Sequence, residues 1–184
     1  MKRRLFLQLP LLASAIKLGA HTPVQNRATK GFKSAAHKDR FDNELHIMGG
    51  EFDCKVSSKD SNGELLIYDT HRHEKGGPPL HVHHEQDEWF FVIKGNFKVQ
   101  VGEETFELNA GDSAFAPRKI PHAFAMTNEG DGQMLVLFQP AGTMEEYFLE
   151  MQKFGKSINK DMENTFKGLW EKHGMKVVGP PIKF

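Results

Sequence analysis

Between residues 44 and 139 the chain alternates short apolar stretches with turn residues. Asn62-Gly63 stands between the stretches 52–58 and 65–70, the signature of a hairpin. Gly76-Gly77-Pro78-Pro79 breaks the chain ahead of the stretch 80–84, and the aromatic, β-branched run 88–94 follows a polar turn. Gly95-Asn96 leads into 97–101, Gly102-Glu103 into 105–108, and Asn109-Ala110-Gly111-Asp112 into 113–116. The last two stretches are 122–127 and 133–139. So many short strands at this spacing predict an antiparallel sandwich or barrel rather than alternating β and α units.

After Pro140 the period changes. Met144, Tyr147, Phe148, Met151, Phe154 and Ile158 recur at threes and fours, the spacing of a helix with one apolar face. Thr143, with Glu146 three residues on, predicts a capping box at its start. A second helix is expected over 160–173, with Met162, Phe166, Leu169 and Trp170 as its stripe and Gly174 to end it. Both stripes read as core, packed on the barrel. The domain reading is therefore a barrel over 44–140 and a helical segment over 141–184.

The first 43 residues lie outside this pattern. A basic start, Met1-Lys2-Arg3-Arg4, precedes a short apolar run that ends near two small-residue sites, Ala13-Ser14-Ala15 and Leu18-Gly19-Ala20. Residues 1–20 read as a signal peptide, and Arg3-Arg4-Leu5-Phe6-Leu7 is similar to the twin-arginine type. The expectation is an exported, periplasmic protein with no membrane segment in its mature form; the alternative is a cytoplasmic protein with a frayed N-terminal helix. Residues 21–43 are polar and aperiodic, a linker or arm.

Composition narrows the function classes. Lys plus Arg and Asp plus Glu both number 24, so charge makes no case for nucleic acid as a partner. Cys54 is the single cysteine, which excludes an intramolecular disulfide and a thiolate zinc site and leaves Cys54 as a small buried residue. The ten histidines are unevenly spread, with five at 71, 73, 81, 83 and 84.

That cluster carries the chemistry. On a strand, His81 and His83 face the same way, with Cα atoms about 6.5–7 Å apart, so both imidazoles can reach one ion. Glu88 opens the next strand after the turn His84-Glu85-Gln86-Asp87, and a hairpin returns it beside them. His122 follows the bend Pro117-Arg118-Lys119-Ile120-Pro121, and closing a barrel brings it opposite the pair. Inward-facing polar groups cost several kcal/mol each if left unpaired. A divalent cation accepts all four as ligands, with the histidines neutral and the glutamate ionised. By contrast, His71 and His73 lack a carboxylate at matching spacing and read as strand surface or pocket wall. His84 points away from His83, and His21, His37, His46 and His173 join no constellation.

Two separated motifs carry a resemblance. Gly76-Gly77-Pro78-Pro79-Leu80-His81-Val82-His83, then Glu88 and Gly95, resembles the first cupin motif; Gly111, Pro117 and His122 resemble the second. Pro78-Pro79-Leu80, Gln139-Pro140-Ala141-Gly142 and Gly179-Pro180-Pro181 are similar to stretches of the quercetin dioxygenase-like cupins. The resemblance implies an all-β fold, a double-stranded β-helix (jelly-roll) barrel, here with C-terminal helices. It places His81, His83, Glu88 and His122 on metal-ligand positions and gives Glu88 a catalytic role, taking a proton from a bound hydroxyl. It also implies a homodimer through a shared strand edge. Two positions depart from the family pattern: Lys119 stands where glycine is usual, and Met126 where asparagine is common.

Three nitrogens and one oxygen suit Fe, Mn, Ni, Cu, Co or Zn. The functional expectation is a metal-dependent dioxygenase acting on a small phenolic or enediol-like substrate, in a pocket lined by residues such as Phe90, Val92, Phe115 and Phe124. The alternatives are a metal-dependent isomerase or lyase, and a non-enzymatic module that binds a small molecule.

Overall fold

The computed structural model describes residues 27–43, 45–153 and 160–183, with side chains in the last stretch from Phe166 onward. The expected export signal, residues 21–26 of the arm, Phe154, Ile158 and the side chain of Met162 lie outside the described residues.

Eleven strands alternate with short turns: β1 (Leu45–Ile47), β2 (Gly50–Val56), β3 (Leu66–Arg72), β4 (Pro79–His83), β5 (Asp87–Lys94), β6 (Phe97–Val101), β7 (Glu104–Leu108), β8 (Ser113–Ala116), β9 (His122–Met126), β10 (Gly132–Gln139) and β11 (Met175–Pro181). Helices α1 (Met144–Gln152) and α2 (Lys160–Lys172) separate the last two strands. One sheet has the order β1-β2-β3-β10-β5-β8 and the other β11-β4-β9-β6-β7. Every named strand pair is antiparallel. The fold is the all-β jelly roll that the motifs implied.

Strand alternation builds the core. On β3, Leu66, Tyr68, Thr70 and Arg72 are buried at every second position; on β10, Met134, Val136 and Phe138 are. Their apolar members join Phe52, Phe90, Val92, Phe97, Phe124 and Met126 between the sheets. Helix α1 adds Met144, Tyr147, Phe148 and Met151, and α2 adds Phe166, Leu169 and Trp170. The helices thus close one side of the interior, as their apolar stripes predict.

Three local expectations change. The Asn62-Gly63 hairpin exists, but a 3-10 turn over Ser58–Ser61 precedes it, capped by the Ser57 side chain. Asn62 and Gly63 take the left-handed conformation that the turn needs, at φ 59° and 82°. The capping box at Thr143 does not form: its hydroxyl pairs with His173 Nδ1 at 2.9 Å, not with the helix backbone. Finally, the segment after 140 is not helical throughout, because β11 pairs with β4, setting Met175 against His83 and Val177 against His81. Prolines mark its far end, where the register shifts between Val177 and Pro181.

The described part of the arm is anchored rather than loose. Buried Asp39 accepts hydrogen bonds from the backbone of Phe41, Asn43 and Cys54. Lys55 donates to the carbonyls of Ala35 and Lys38.

Candidate metal centre

Three local rules place the four candidate ligands. His81 and His83 share a face of β4 because they are two apart. His122 opens β9 and stands directly opposite His81 across the β4–β9 pair. Glu88 comes from the other sheet, on β5, between Phe138 of β10 and Ala116 of β8. The centre therefore bridges the two sheets. The bend ahead of His122 is held by the Lys119 amide, which donates to the His83 carbonyl at 2.7 Å. Lys119 there has φ 68°, the left-handed conformation for which the usual glycine is suited. Gly77, in the loop before β4, is required by close approach: a Cβ on it would overlap the Phe124 carbonyl oxygen.

The four side chains converge. His122, His83 and His81 bring Nε2 to within 2.9, 3.3 and 3.9 Å of the same Glu88 oxygen, Oε2. One ligand atom from each residue lies within 4.8 Å of every other, and all four residues are buried. His81 and His122 each direct Nδ1 to a backbone carbonyl, of Pro79 at 2.8 Å and Ile120 at 2.9 Å. Those bonds fix the rings and leave Nε2 for an ion, a common arrangement behind histidine ligands. Buried His83 Nδ1 has no hydrogen-bond partner among the described residues. The donor set and its orientation fit a divalent transition metal.

Electrostatics at His81 and Glu88 point the same way. Burial, together with the neighbouring His122 and His83, pushes the His81 pKa down to about 3, so it is neutral at ordinary pH. Burial opposes the charge on Glu88, but hydrogen bonds from His122 and His83 outweigh it and hold the carboxyl well below the usual range. For His122 burial is again outweighed, here by Glu88, and the imidazole sits above its ordinary value. A neutral histidine and an ionised glutamate are the forms that ligate.

The centre forms one wall of a small apolar cavity, about 50 Å³ in volume. Phe124, Phe138, Tyr147, Trp170 and Met48 line it beside His81, His83 and Glu88. Of the four aromatic and aliphatic residues expected there, Phe124 lines the cavity. Phe90 and Val92 lie fully buried behind it, with Phe90 packed on Phe124 at 5.6 Å. Phe115 is a correction: it is 55% exposed, paired with Trp89 on the outer face, because its alternation on β8 turns it away from the core. His71 is a second correction, since carboxylates do meet it, Asp69 at 3.5 Å and Asp53 of the adjacent strand at 3.8 Å. His73 is exposed and pairs with Asp131, and His84 is exposed. Cys54 is buried, and burial pushes its thiol up to about 12, which leaves it unreactive.

Residues 69–138 match the sequence profile of the cupin domain. This stretch is a cupin domain. It carries all four candidate ligands. An uncharacterised protein of Streptomyces coelicolor is 37% identical over 57 residues, which is 31% of this chain. The match spans about half, 53%, of that relative's length. Among solved structures, an RmlC-like cupin from Shewanella frigidimarina is 24% identical, covering 61% of this chain and 93% of its own, with a TM-score of 0.49. KdgF from Halomonas sp. is also 24% identical, covering 50% of this chain and 82% of its own, with a TM-score of 0.45.

Two features of the cupin domain's cavity escaped the sequence reading. Trp170 reaches it from α2, its ring 4.9 Å from that of His81. Arg72 reaches it from the inward face of β3. Strand alternation was the available signal for Arg72, which shares a face with Leu66, Tyr68 and Thr70.

Proposed function

We propose that the cupin domain holds one divalent transition metal through His81, His83, Glu88 and His122 and oxidises a small phenolic or enediol-like compound with O₂. What carries the reading is the convergence of three imidazoles and a carboxylate, all buried, on the wall of an apolar cavity. Such a group is costly to bury unless an ion or a full set of hydrogen bonds satisfies it. A redox-active metal bound there would supply Lewis acidity and an electron path to O₂.

The chain's own residues do the rest. Tyr147, Phe138 and Phe124 exclude water from the reacting end of the substrate. Phe124 and Trp170 offer flat faces against which an aromatic ring can lie. Glu88 is present as a carboxylate, able to accept a proton from a substrate hydroxyl at the moment of binding.

The test is elemental analysis of the purified protein beside a His81→Ala control, followed by oxygen-electrode assays with a panel of phenols and enediols. Near-stoichiometric metal in the parent, lost in the control, together with substrate-dependent O₂ uptake, supports the reading. Metal retained at full occupancy by His81→Ala would overturn the site. A metal-loaded protein that binds these compounds without consuming O₂ would overturn the dioxygenase activity.

A further inference from the structure

Arg72 is the least expected residue in the cavity. It is 3% exposed, at the inward end of β3, and it lines the same space as His81, His83 and Glu88. Its Nη2 donates to the Met48 carbonyl at 2.6 Å, yet its Nε is buried without a hydrogen-bond partner among the described residues. No carboxylate pairs with it among those residues either. Burial pulls its pKa down to about 10, and Glu74, an exposed residue, is the charge that opposes the shift.

A buried guanidinium without a counter-ion is expensive, and folds keep buried charges paired. Around this one the fold makes room rather than compensation. A Cβ on Gly50 would come within 3.0 Å of Nη1, and one on Gly49 within 3.4 Å of Nη2, so Gly49 in the β1–β2 turn and Gly50 at the start of β2 let the guanidinium lie against the backbone. The Phe124 ring centre is 6.0 Å from its central carbon. One cation, an unused N–H donor and apolar walls are the complement of a small, planar anion.

We propose that the cavity selects small organic acids, with the ligand's carboxylate on Arg72 and its remaining atoms directed along the apolar wall toward the four-residue centre. This rests on the same cavity being the substrate site, and it names the substrate class: an acid that carries its reacting oxygen away from the carboxylate. A monoanion suits the single cation better than a phosphate dianion, whose second charge would find no partner there.

The experiment is calorimetric titration of the full-length protein, as isolated and again after chelator treatment. The probes are acetate, pyruvate and benzoate, each matched with its neutral amide, and inorganic phosphate. At least one acid is expected to bind tenfold or more tightly than its amide in both preparations. Arg72→Gln should reduce that ratio to near one while amide affinity stays within about twofold. Equal binding of acid and amide by the parent protein overturns the proposal, as does no binding of any acid, or an undiminished preference in Arg72→Gln. Tighter binding of phosphate than of every acid overturns the carboxylate assignment. If Arg72→Gln does not fold, the acid–amide comparison on the parent protein still decides. An intact acid preference without O₂ uptake would sink the oxidative reading and leave this one standing; O₂ uptake without acid preference would do the reverse.

Discussion

His81 and His122 face each other across two neighbouring strands, one on β4 and one on β9, with ring centres 4.6 Å apart. Strand registry therefore sets their separation, and neither can move without its ladder. The centre is preorganised by the sheet, and each consequence below follows from that placement or from the packing around it.

Trp170 should report metal binding. Its ring is 4.9 Å from that of His81, whereas the other tryptophan, Trp89, lies toward the outer face, stacked on Phe91. Titration with Cu²⁺ or Ni²⁺ should quench the fluorescence of the parent protein and of Trp89→Phe, saturating near one equivalent. Trp170→Phe should abolish most of the quenching. Equal quenching in both variants would place the ion elsewhere.

Loading should also stabilise the fold. An ion held at 100 times its dissociation constant adds about 2.7 kcal/mol, provided it does not bind the unfolded chain. Differential scanning calorimetry should show a higher Tm for metal-loaded protein than for chelator-treated protein, and no such gain for His122→Ala.

The metal-free protein should weaken as pH falls. The folded-state pKa of His81 is depressed to about 3, so between its unfolded value near 6.5 and that point the unfolded chain binds the extra proton. The contribution of His81 is therefore full above about pH 6.5 and declines below it, by at most about 1.4 kcal/mol per pH unit. Urea melts of chelator-treated protein from pH 7 to 4 measure the slope, and His81→Gln should flatten it.

Two backbone positions should respond in opposite directions. Lys119 holds φ 68° in the bend before His122, so Lys119→Gly relieves a conformation that costs an ordinary residue about 1–2 kcal/mol. The looser unfolded chain offsets part of that gain, leaving an expected increase of about 0.5–1 kcal/mol. Gly77→Ala forces a Cβ into the Phe124 carbonyl and should lower the denaturant midpoint sharply. Chemical denaturation of both variants checks the pair.

A buried carboxylate outside the centre gives a stability test. Glu145, at the start of α1, accepts from the backbone and side chain of Ser58 and from the Ser57 hydroxyl. Glu145→Ala strands those donors, at a cost of about 1–3 kcal/mol each where they stay buried. A fall in Tm with metal content unchanged is expected.

Much of this molecule was legible in the chain because strand alternation is a strong rule. The two-residue spacing of His81 and His83, the turn before Glu88 and the bend before His122 each specify a side chain's direction, and the structure brings all four together. The strands from Leu66 to Gln139 follow for the same reason. What was hidden depends on partners distant in sequence. The run Met175–Pro181 holds two prolines and several exposed residues, and only pairing with β4 makes it a strand. Thr143 met its local rule for a helix cap, but His173 competed for the hydroxyl. Arg72 sits between His71 and His73; alternation along β3 marks its face as inward, but its place in the cavity depends on Phe124 and Met48, which lie far from it in sequence.

The pairing of β11 with β4 also bears on the order of biosynthesis. The strand that carries His81 and His83 is flanked on one side by β9 and on the other by a ribbon translated long after it. A nascent chain halted before Met175 would have made every candidate ligand and yet left that flank of β4 open to water. Completion of the ligand strand's surroundings is thus deferred until translation has passed the second helix.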